Sequence, residues 1–385
     1  MNVAGGALIG QAVFDAHTWE VLPFHFWTVV FFVFGTVVGS FLNVCIHRMP
    51  LGLSLVHPPS RCPHCGGGIA WRHNIPIFGW LFLRGRCANP ECRTPISPRY
   101  VLVEALTGLC FAAVWVFHGT SGPLASISLC IFAAGLIVAT FIDLEHLIIP
   151  DEITLGGAVL GLILSVVAPG IHGVEYAWPS MKTAFIGAAL GSGIVFAMLE
   201  LGKVLFGRQR LAWTGDVRIT FTESDLHLPD AVLPYEDIFY RVSDTLKFQA
   251  KRLELVDRCY WDVPVQLRLR GNVLRIGEEQ IEAATVPWLQ ATTDTVLVPR
   301  EAMGFGDVKF MAAIGAFTGW EGVLFTLLGS SLVGLAVNVG LILIGRRQWS
   351  ARIPFGPYLA AAALGWVLGG KSLFLAWMAA TGVRM

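Results

Sequence analysis

Two aspartates stand where carboxylates are expensive. Asp307 lies in Gly304-Phe305-Gly306-Asp307-Val308-Lys309, just inside a run of apolar and small residues, and Asp143 follows another long apolar run at Phe141-Ile142-Asp143-Leu144-Glu145-His146. A charged aspartate at the centre of a spanning helix costs about 3 kcal/mol even on the lenient insertion scale, so such a group faces a partner or a wet cavity. The best candidate partner for each is the other. If the two approach closely, their charges repel, one pKa rises and the pair shares a proton near neutral pH. One carboxylate then activates water while the other protonates a leaving amide, and the titration belongs to the pair and not to either residue. Motif chemistry alone leaves a second reading open, because proton relays and proton-coupled transporters also keep intramembrane carboxylates. Of the neighbours, Glu145, His146, Asp151 and Glu152 read as solvated turn residues, and Lys309 either tunes an acid or snorkels to headgroups.

A second constellation is made of thiols. Cys62-Pro63-His64-Cys65 and Cys87-Ala88-Asn89-Pro90-Glu91-Cys92 are C-x2-C and C-x4-C pairs, far enough apart for the chain to fold back between them. Four thiolates so spaced close a tetrahedron around zinc; the competing reading is four free thiols in a Gly-rich turn region. A closed four-cysteine site keeps no open position for water, so the expected metal is structural and performs no hydrolysis. From residue 48 to 99 seven arginines (48, 61, 72, 84, 86, 93, 99) stand against one acid, Glu91. The positive-inside rule makes that loop cytoplasmic, and a reducing compartment disfavours disulfides.

The elements that must position these groups are membrane helices. Of the 385 residues 55% are hydrophobic and 14% charged, mean hydropathy is +0.64, and apolar runs recur near the ~20 residues a spanning helix needs. The formal net charge of zero argues against nucleic acid as a partner. Residues 1–23 lack the basic and short apolar regions of a cleaved signal, so 24–46 reads as a retained first helix. Further crossings are expected over 98–117, 124–142, 153–168 and 183–206, with Pro150 limiting the third helix. Beyond Asp307, Gly319-Trp320-Glu321-Gly322 reads as an outer turn, followed by crossings over 323–344 and 355–368. The fold class is an all-α polytopic membrane protein of about eight transmembrane helices, N-terminus outside, with a zinc-ribbon-like loop and an inserted small β-rich domain. Lys371 and Arg384 then fall outside against the charge rule, and the tail 372–380 is expected along the interface. From Asp307 to Thr318 a helix rises only ~17 Å, short of a ~30 Å core, so Asp307 lies within bilayer depth or heads a short helix.

The insertion is residues 208–300, which hold 12 basic and 14 acidic residues, nearly half of the charged positions in the chain. Val217, Ile219 and Phe221 alternate with polar residues, and Gln266-Leu267-Arg268-Leu269-Arg270 meets Val273-Leu274-Arg275-Ile276 across a turn at Gly271-Asn272. Cys259 is alone and reads as filler. The expected organisation is a first helix over 1–46, the four-cysteine loop over 47–99, helices with the first acid over 100–207, the soluble insertion over 208–300, and helices with the second acid over 301–385.

Five motifs in order carry a resemblance. GSFLNVCIHRMP from residue 39 to 50, the cysteine pairs flanking Asn74-Ile75-Pro76 and Leu83-Arg84-Gly85-Arg86-Cys87, Ile96-Ser97-Pro98-Arg99-Tyr100 with Glu104, the stretch from Asp143 to Asp151, and GFGD at 304–307 resemble the bacterial type IV prepilin peptidases, members of the GxGD intramembrane aspartyl proteases. The resemblance covers nearly all of the membrane part. It implies an eight-helix inner-membrane enzyme, embedded in lipid, that removes the short basic leader of prepilins and pseudopilins after a Gly and usually before a Phe, with Asp143 and Asp307 as its catalytic pair. It also implies N-methylation of the new terminus from S-adenosylmethionine, and ties the glycine matching Gly85 to that transfer; no G-x-G-x-x-G supplies a nucleotide loop. A basic leader followed by an apolar helix puts the scissile bond at the cytoplasmic interface, where the acids are expected. The second cysteine pair departs from the family's usual C-x2-C, and the insertion is absent from typical members. That insertion gates substrate, contacts a pilus or secretion assembly, or is simply tolerated, since long surface insertions add little loop entropy. A silent membrane scaffold is the remaining alternative.

Overall fold

In the computed structural model the described residues are 23–62, 64–239, 242–299, 304–345 and 354–380. The expectations for residues 1–22, for Arg346-Arg347 and for Arg384 fall outside them. The chain divides into two compact units, Met1–Val195 with Phe305–Met385, and Phe196–Gly304.

The first unit is helical. It comprises α1 (Phe24–Arg48), a short α2 (Phe78–Phe82) inside the cysteine loop, α3 (Arg99–His118), α4 (Pro123–His146), α5 (Asp151–Val167), the first part of α6 (Ala177–Phe206), α7 (Phe305–Leu343), α8 (Gly356–Gly365) and α9 (Lys371–Ala380). Five of these, α1, α3, α4, α6 and α7, are long and apolar enough to cross a membrane. Helix α4 runs four residues past its expected end, because nothing in Asp143-Leu144-Glu145-His146 breaks it before Pro150. At 17 residues α5 is at the short limit for a span. The turn expected at 319–322 is a break at one residue: only Gly319 (φ 71, ψ −178) leaves helical geometry within α7, a conformation that favours glycine. Of the last expected crossing, 355–368, α8 forms the main part; a wide turn over Trp366–Gly370, in which Leu368 and Gly369 are not helical, separates it from α9, which holds the tail expected along the interface.

Apolar side chains gain nothing by leaving lipid for a neighbouring helix, so helices in a bilayer pack through small residues that let backbones touch. A Cβ at Gly35 would stand 2.8 Å from Gly108 Cα, seating α1 on α3, and one at Gly187 would stand 2.2 Å from the Gly315 carbonyl, seating α6 on α7. On its other side α7 meets α5, where Gly161 faces Ala316 and Phe317.

The second unit is one antiparallel sheet of eight strands: β1 (Arg208–Phe221), β2 (Asp225–His227), β3 (Val232–Pro234), β4 (Leu246–Leu255), β5 (Cys259–Arg268), β6 (Val273–Ile276), β7 (Glu279–Ile281) and β8 (Leu289–Pro299), in the order β3-β2-β1-β8-β4-β5-β6-β7. The predicted alternation in β1 places Ile219 and Phe221 in a core with Leu246, Leu253, Leu274 and Val296. The entering and leaving strands pair directly, Arg208 with Pro299, so the insertion closes on itself at its neck. The expected two-residue hairpin turn is a four-residue loop: Arg268 pairs with Val273, and Asn272 (φ 51) returns its N–H to the Leu269 carbonyl at 3.0 Å.

A unit with its own core folds by itself. The fragment 207–299 is expected to give a β-type circular dichroism spectrum and a cooperative urea transition. Emptying the fully buried Leu253 site by Leu253→Ala lowers its stability by about 2–5 kcal/mol, while Val256→Ala on the exposed side changes it by no more than about 0.5 kcal/mol.

Candidate active site

Asp143 sits in the last turn of α4. The helix crosses its apolar stretch with its polar side chains satisfied locally: the Ser128 and Thr140 hydroxyls donate to carbonyls four residues back at 2.7 Å. Past Asp143 the chain leaves the helix at Leu147 (φ 55), whose N–H donates to the Asp143 carbonyl at 3.0 Å. The Asp143 side chain is buried, and its Oδ2 accepts the backbone N–H of Gly356 at 2.9 Å. Gly356 opens α8, so the carboxylate receives an N–H that has no acceptor inside its own helix, at the positive end of the helix dipole. A Cβ at 356 would lie 2.7 Å from that oxygen and 3.1 Å from Ile149 Cδ1. Only glycine leaves room for the bond.

Asp307 is buried in the first turn of α7, again at the helix end that favours a negative group. The Cβ position of the preceding Gly306 is 3.8 Å from the backbone nitrogen and Cβ of Ile149. Ile149, in the loop after α4, therefore touches both the start of α7 and the start of α8. That loop is the common floor under the two acid-bearing segments.

Around it two pairs of charged side chains meet. Glu145 and Asp151, expected from the sequence to be solvated turn residues, meet Arg99 and Lys309: the first pair joins the end of α4 to the start of α3, and Lys309 Nζ donates to Asp151 Oδ1 at 2.7 Å, joining α7 to α5. Such partly exposed pairs contribute at most about 1 kcal/mol each. Their effect here is to fix helix ends. Gly356 and Ile149 had no assigned role in the sequence, and Arg99 counted there only toward the loop's charge and a motif; the one signal for Gly356 is its place before Pro357, since Gly-Pro punctuates a chain and Pro suits a helix start.

The four predicted cysteines converge. Each pair lies on a tight hairpin, one closed by the bridge between Arg61 and Gly68, the other by that between Arg86 and Pro95. Cys62 and Cys92 Sγ are 3.9 Å apart, Cys65 and Cys87 Sγ are 3.9 Å apart, and all four sulfurs lie within 4.8 Å of one another. Tetrahedral zinc with ~2.3 Å bonds requires sulfurs about 3.8 Å apart, so the donor set fits the ion. Backbone N–H groups of Cys65 and His64 hold Cys62 down to about 6. Cys87 goes up to about 11, the favourable Asn89 N–H being outweighed by desolvation and the other sulfurs. Four thiolates this close need a cation.

Gly85 (φ 65) closes the turn before the second hairpin; a Cβ there would stand 2.7 Å from the Trp80 ring, and the Gly85 carbonyl accepts the Ile96 N–H at 2.7 Å. Its open face is filled by Trp80, so it offers no cradle for a methyl donor. Glu104 is buried on α3, and its Oε2 accepts the Ile77 N–H at 2.6 Å. Beside it Asn43 donates to the carbonyls of Gly39 and Tyr100 at 3.3 and 3.1 Å, tying α1 to α3.

Residues 33–118 match the Bacterial Peptidase A24 N-terminal domain, and 130–221 with 273–339 match the Type IV leader peptidase family. The first match holds the four cysteines, the second both acids, and the gap between 221 and 273 falls in the sheet unit. Three curated relatives, each a prepilin leader peptidase/N-methyltransferase, illustrate the similarity. The protein of Aeromonas hydrophila is 29% identical over 88% of this chain and 89% of its own length. That of Myxococcus xanthus is 41% identical over 45% and 48%. That of Dichelobacter nodosus is 33% identical over 48% and 69%. No solved structure matches the chain.

The sulfur geometry sets an expectation for metal. Purified protein is expected to carry one equivalent of zinc by mass spectrometry of the metal, and Cys62→Ser or Cys92→Ser to lose most of it while the helical circular dichroism signal persists. A stoichiometry unchanged by both substitutions would remove the cysteines from the metal's ligand set.

Proposed function

The chain belongs to the type IV leader peptidase family, and on that premise we propose that it is an intramembrane aspartyl endopeptidase that removes the basic leader of prepilins or pseudopilins at a Gly-Phe-type junction. The observation that carries the reading is the convergence on the loop holding Ile149 of two buried aspartates, Asp307 in the first turn of α7 and Asp143 at the end of α4 against the first N–H of α8. The bundle has eight spans in this reading: the five long helices, α5, the division of α7 at Gly319, and α8 with α9 as the last. The active site faces the cytoplasm at the inner membrane, on the side of the arginine-rich loop.

In the mechanism the two carboxylates share one proton between them. The ionised one takes a proton from water as that water attacks the scissile carbonyl, and the protonated one gives its proton to the leaving amide. The Gly356 N–H holds one Asp143 oxygen, which fixes the direction in which the other is presented. The Arg99–Glu145 and Lys309–Asp151 pairs hold the helix ends that carry the acids. Membrane insertion of the substrate's apolar segment supplies binding and orientation, which leaves the protein to provide proton transfer and alignment.

Cys62, Cys65, Cys87 and Cys92 hold a structural zinc ion that fixes the fold of the loop. The relatives' naming supports N-methylation of the new terminus, with S-adenosylmethionine as the methyl donor. Gly85 then acts through the shape of the loop, since Trp80 covers it, and no step is assigned to the donor.

Cleavage of a synthetic prepilin by membranes carrying matched amounts of enzyme tests the dyad. Asp143→Asn and Asp307→Asn are each expected to slow cleavage by about 10²–10⁴-fold, the usual worth of a positioned acid or base. Cleavage that survives either change returns the acids to proton-coupled transport. Gly356→Ala, which pushes on the Asp143 carboxylate, is expected to lower turnover about 10²-fold with KM little changed.

A further inference from the structure

Between its two cysteine pairs the loop turns back into the bundle. The Ile77 N–H ends on the Glu104 carboxylate, five residues inside α3 and so about 7.5 Å below its end at a rise of 1.5 Å per residue. The α1 side agrees, since a Cβ at Gly39 would stand 2.7 Å from Glu104 Cα, and Gly39 lies well inside α1. Irregular backbone at that depth persists only with its polar groups satisfied internally. Four N–H groups here are so bonded, and Pro76 has none to satisfy: Ile77 donates to Glu104, Phe78 to the Pro76 carbonyl at 2.6 Å, Gly79 to Ile75 at 2.7 Å and Leu81 to Ile77 at 3.1 Å. Ile77 (φ 62, ψ −55) is the centre of a strained γ-turn that a β-branched residue rarely adopts, so the surroundings impose it.

The short helix α2 that follows has two faces. Gly79 lies against the His73 carbonyl, and Trp80 packs on Gly85 and donates to the Ile96 carbonyl at 3.1 Å. The other face leaves Ile75, Phe78, Leu81 and Phe82 at 40, 58, 52 and 77% exposure. Flanking it, Arg72, Arg84 and Arg86 are exposed, which complements anionic headgroups.

We propose that residues 75–82 form a re-entrant wedge whose apolar face inserts into the lipid leaflet on the cysteine-loop side, with the flanking arginines on anionic headgroups and Glu104 as the tether. The commitment to lipid rests on depth, on the four internally bonded N–H groups and on the arginines; it also rests on α1 and α3 being membrane spans.

The test uses the full chain in nanodiscs of phosphatidylcholine and phosphatidylglycerol, with p-benzoylphenylalanine placed in turn at Phe82, at Phe34 on the exposed face of α1, and at Ala88 in the loop between Cys87 and Cys92. After irradiation, mass spectrometry is expected to find lipid adducts at positions 82 and 34 and none at 88. Glu104→Ala is expected to abolish the adduct at 82 while that at 34 and the bound zinc persist, and Glu104→Gln, which keeps an acceptor for the Ile77 N–H, to retain it. Lipid adducts at 34 without any at 82 would overturn the wedge. So would adducts at 82 that form only with an added prepilin, which would make the face a substrate surface. Failure at 34 would overturn the span reading of α1, and the wedge with it.

Discussion

A buried carboxylate must be met by a donor, and at Asp143 that donor is the first N–H of α8. This bond requires glycine at 356, brings the start of α8 to the end of α4, and presses both against Ile149. Because Gly306 lies on the same isoleucine, the start of α7 is held there too. A set of three helix ends is thus gathered at one spot by a short loop. Helix ends are where unpaired backbone groups are found, so acidic side chains in this apolar setting have been placed where the backbone itself welcomes negative charge.

The rest of the first unit serves that gathering. Gly161, Gly187 and Gly315 let α5, α6 and α7 approach at backbone distance. On the other side Asn43 and Glu104 use polar groups for the same purpose, tying α1, α3 and the loop between the cysteines into one body. The loop is closed twice, by sulfurs at its hairpins and by a buried carboxylate at its middle. Either closure alone would leave a long irregular segment free to move relative to α3.

Asp143, Asp307 and the four cysteines were legible in the sequence because each contradicts its surroundings: charge in apolar runs, and paired thiols in an arginine-rich loop. Long helices were legible within a few residues for a related reason, apolar length, and β1 through its strict alternation. Gly356 was not, since one glycine among 42 carries no mark of the oxygen it must admit. Ile149 was hidden in the same way among other isoleucines. The ion pairs of Glu145 and Asp151 depend on which helix ends become neighbours, a tertiary fact with no local signal. The break at Gly319 was placed correctly but drawn as a loop, because a positive-φ glycine can interrupt a helix in one residue where a turn would take four. The β5–β6 loop failed through turn chemistry: Gly-Asn looks sufficient for a hairpin, yet Leu269 and Arg270 also leave the ladder.

The neck of the insertion has a consequence for the order in which the molecule can be made. Strand β8 lies between β1 and β4 and is the last strand in the chain, so the ribosome must release its final residues before the sheet can be completed. Only a few residues separate Pro299 from Phe305, where α7 begins. Synthesis therefore delivers the keystone of the sheet and the helix carrying the second acid almost together. A pause with β8 already outside the exit tunnel and α7 still within it would give the sheet time to close, and the bundle would acquire Asp307 only after the inserted unit had ceased to expose its unpaired strands.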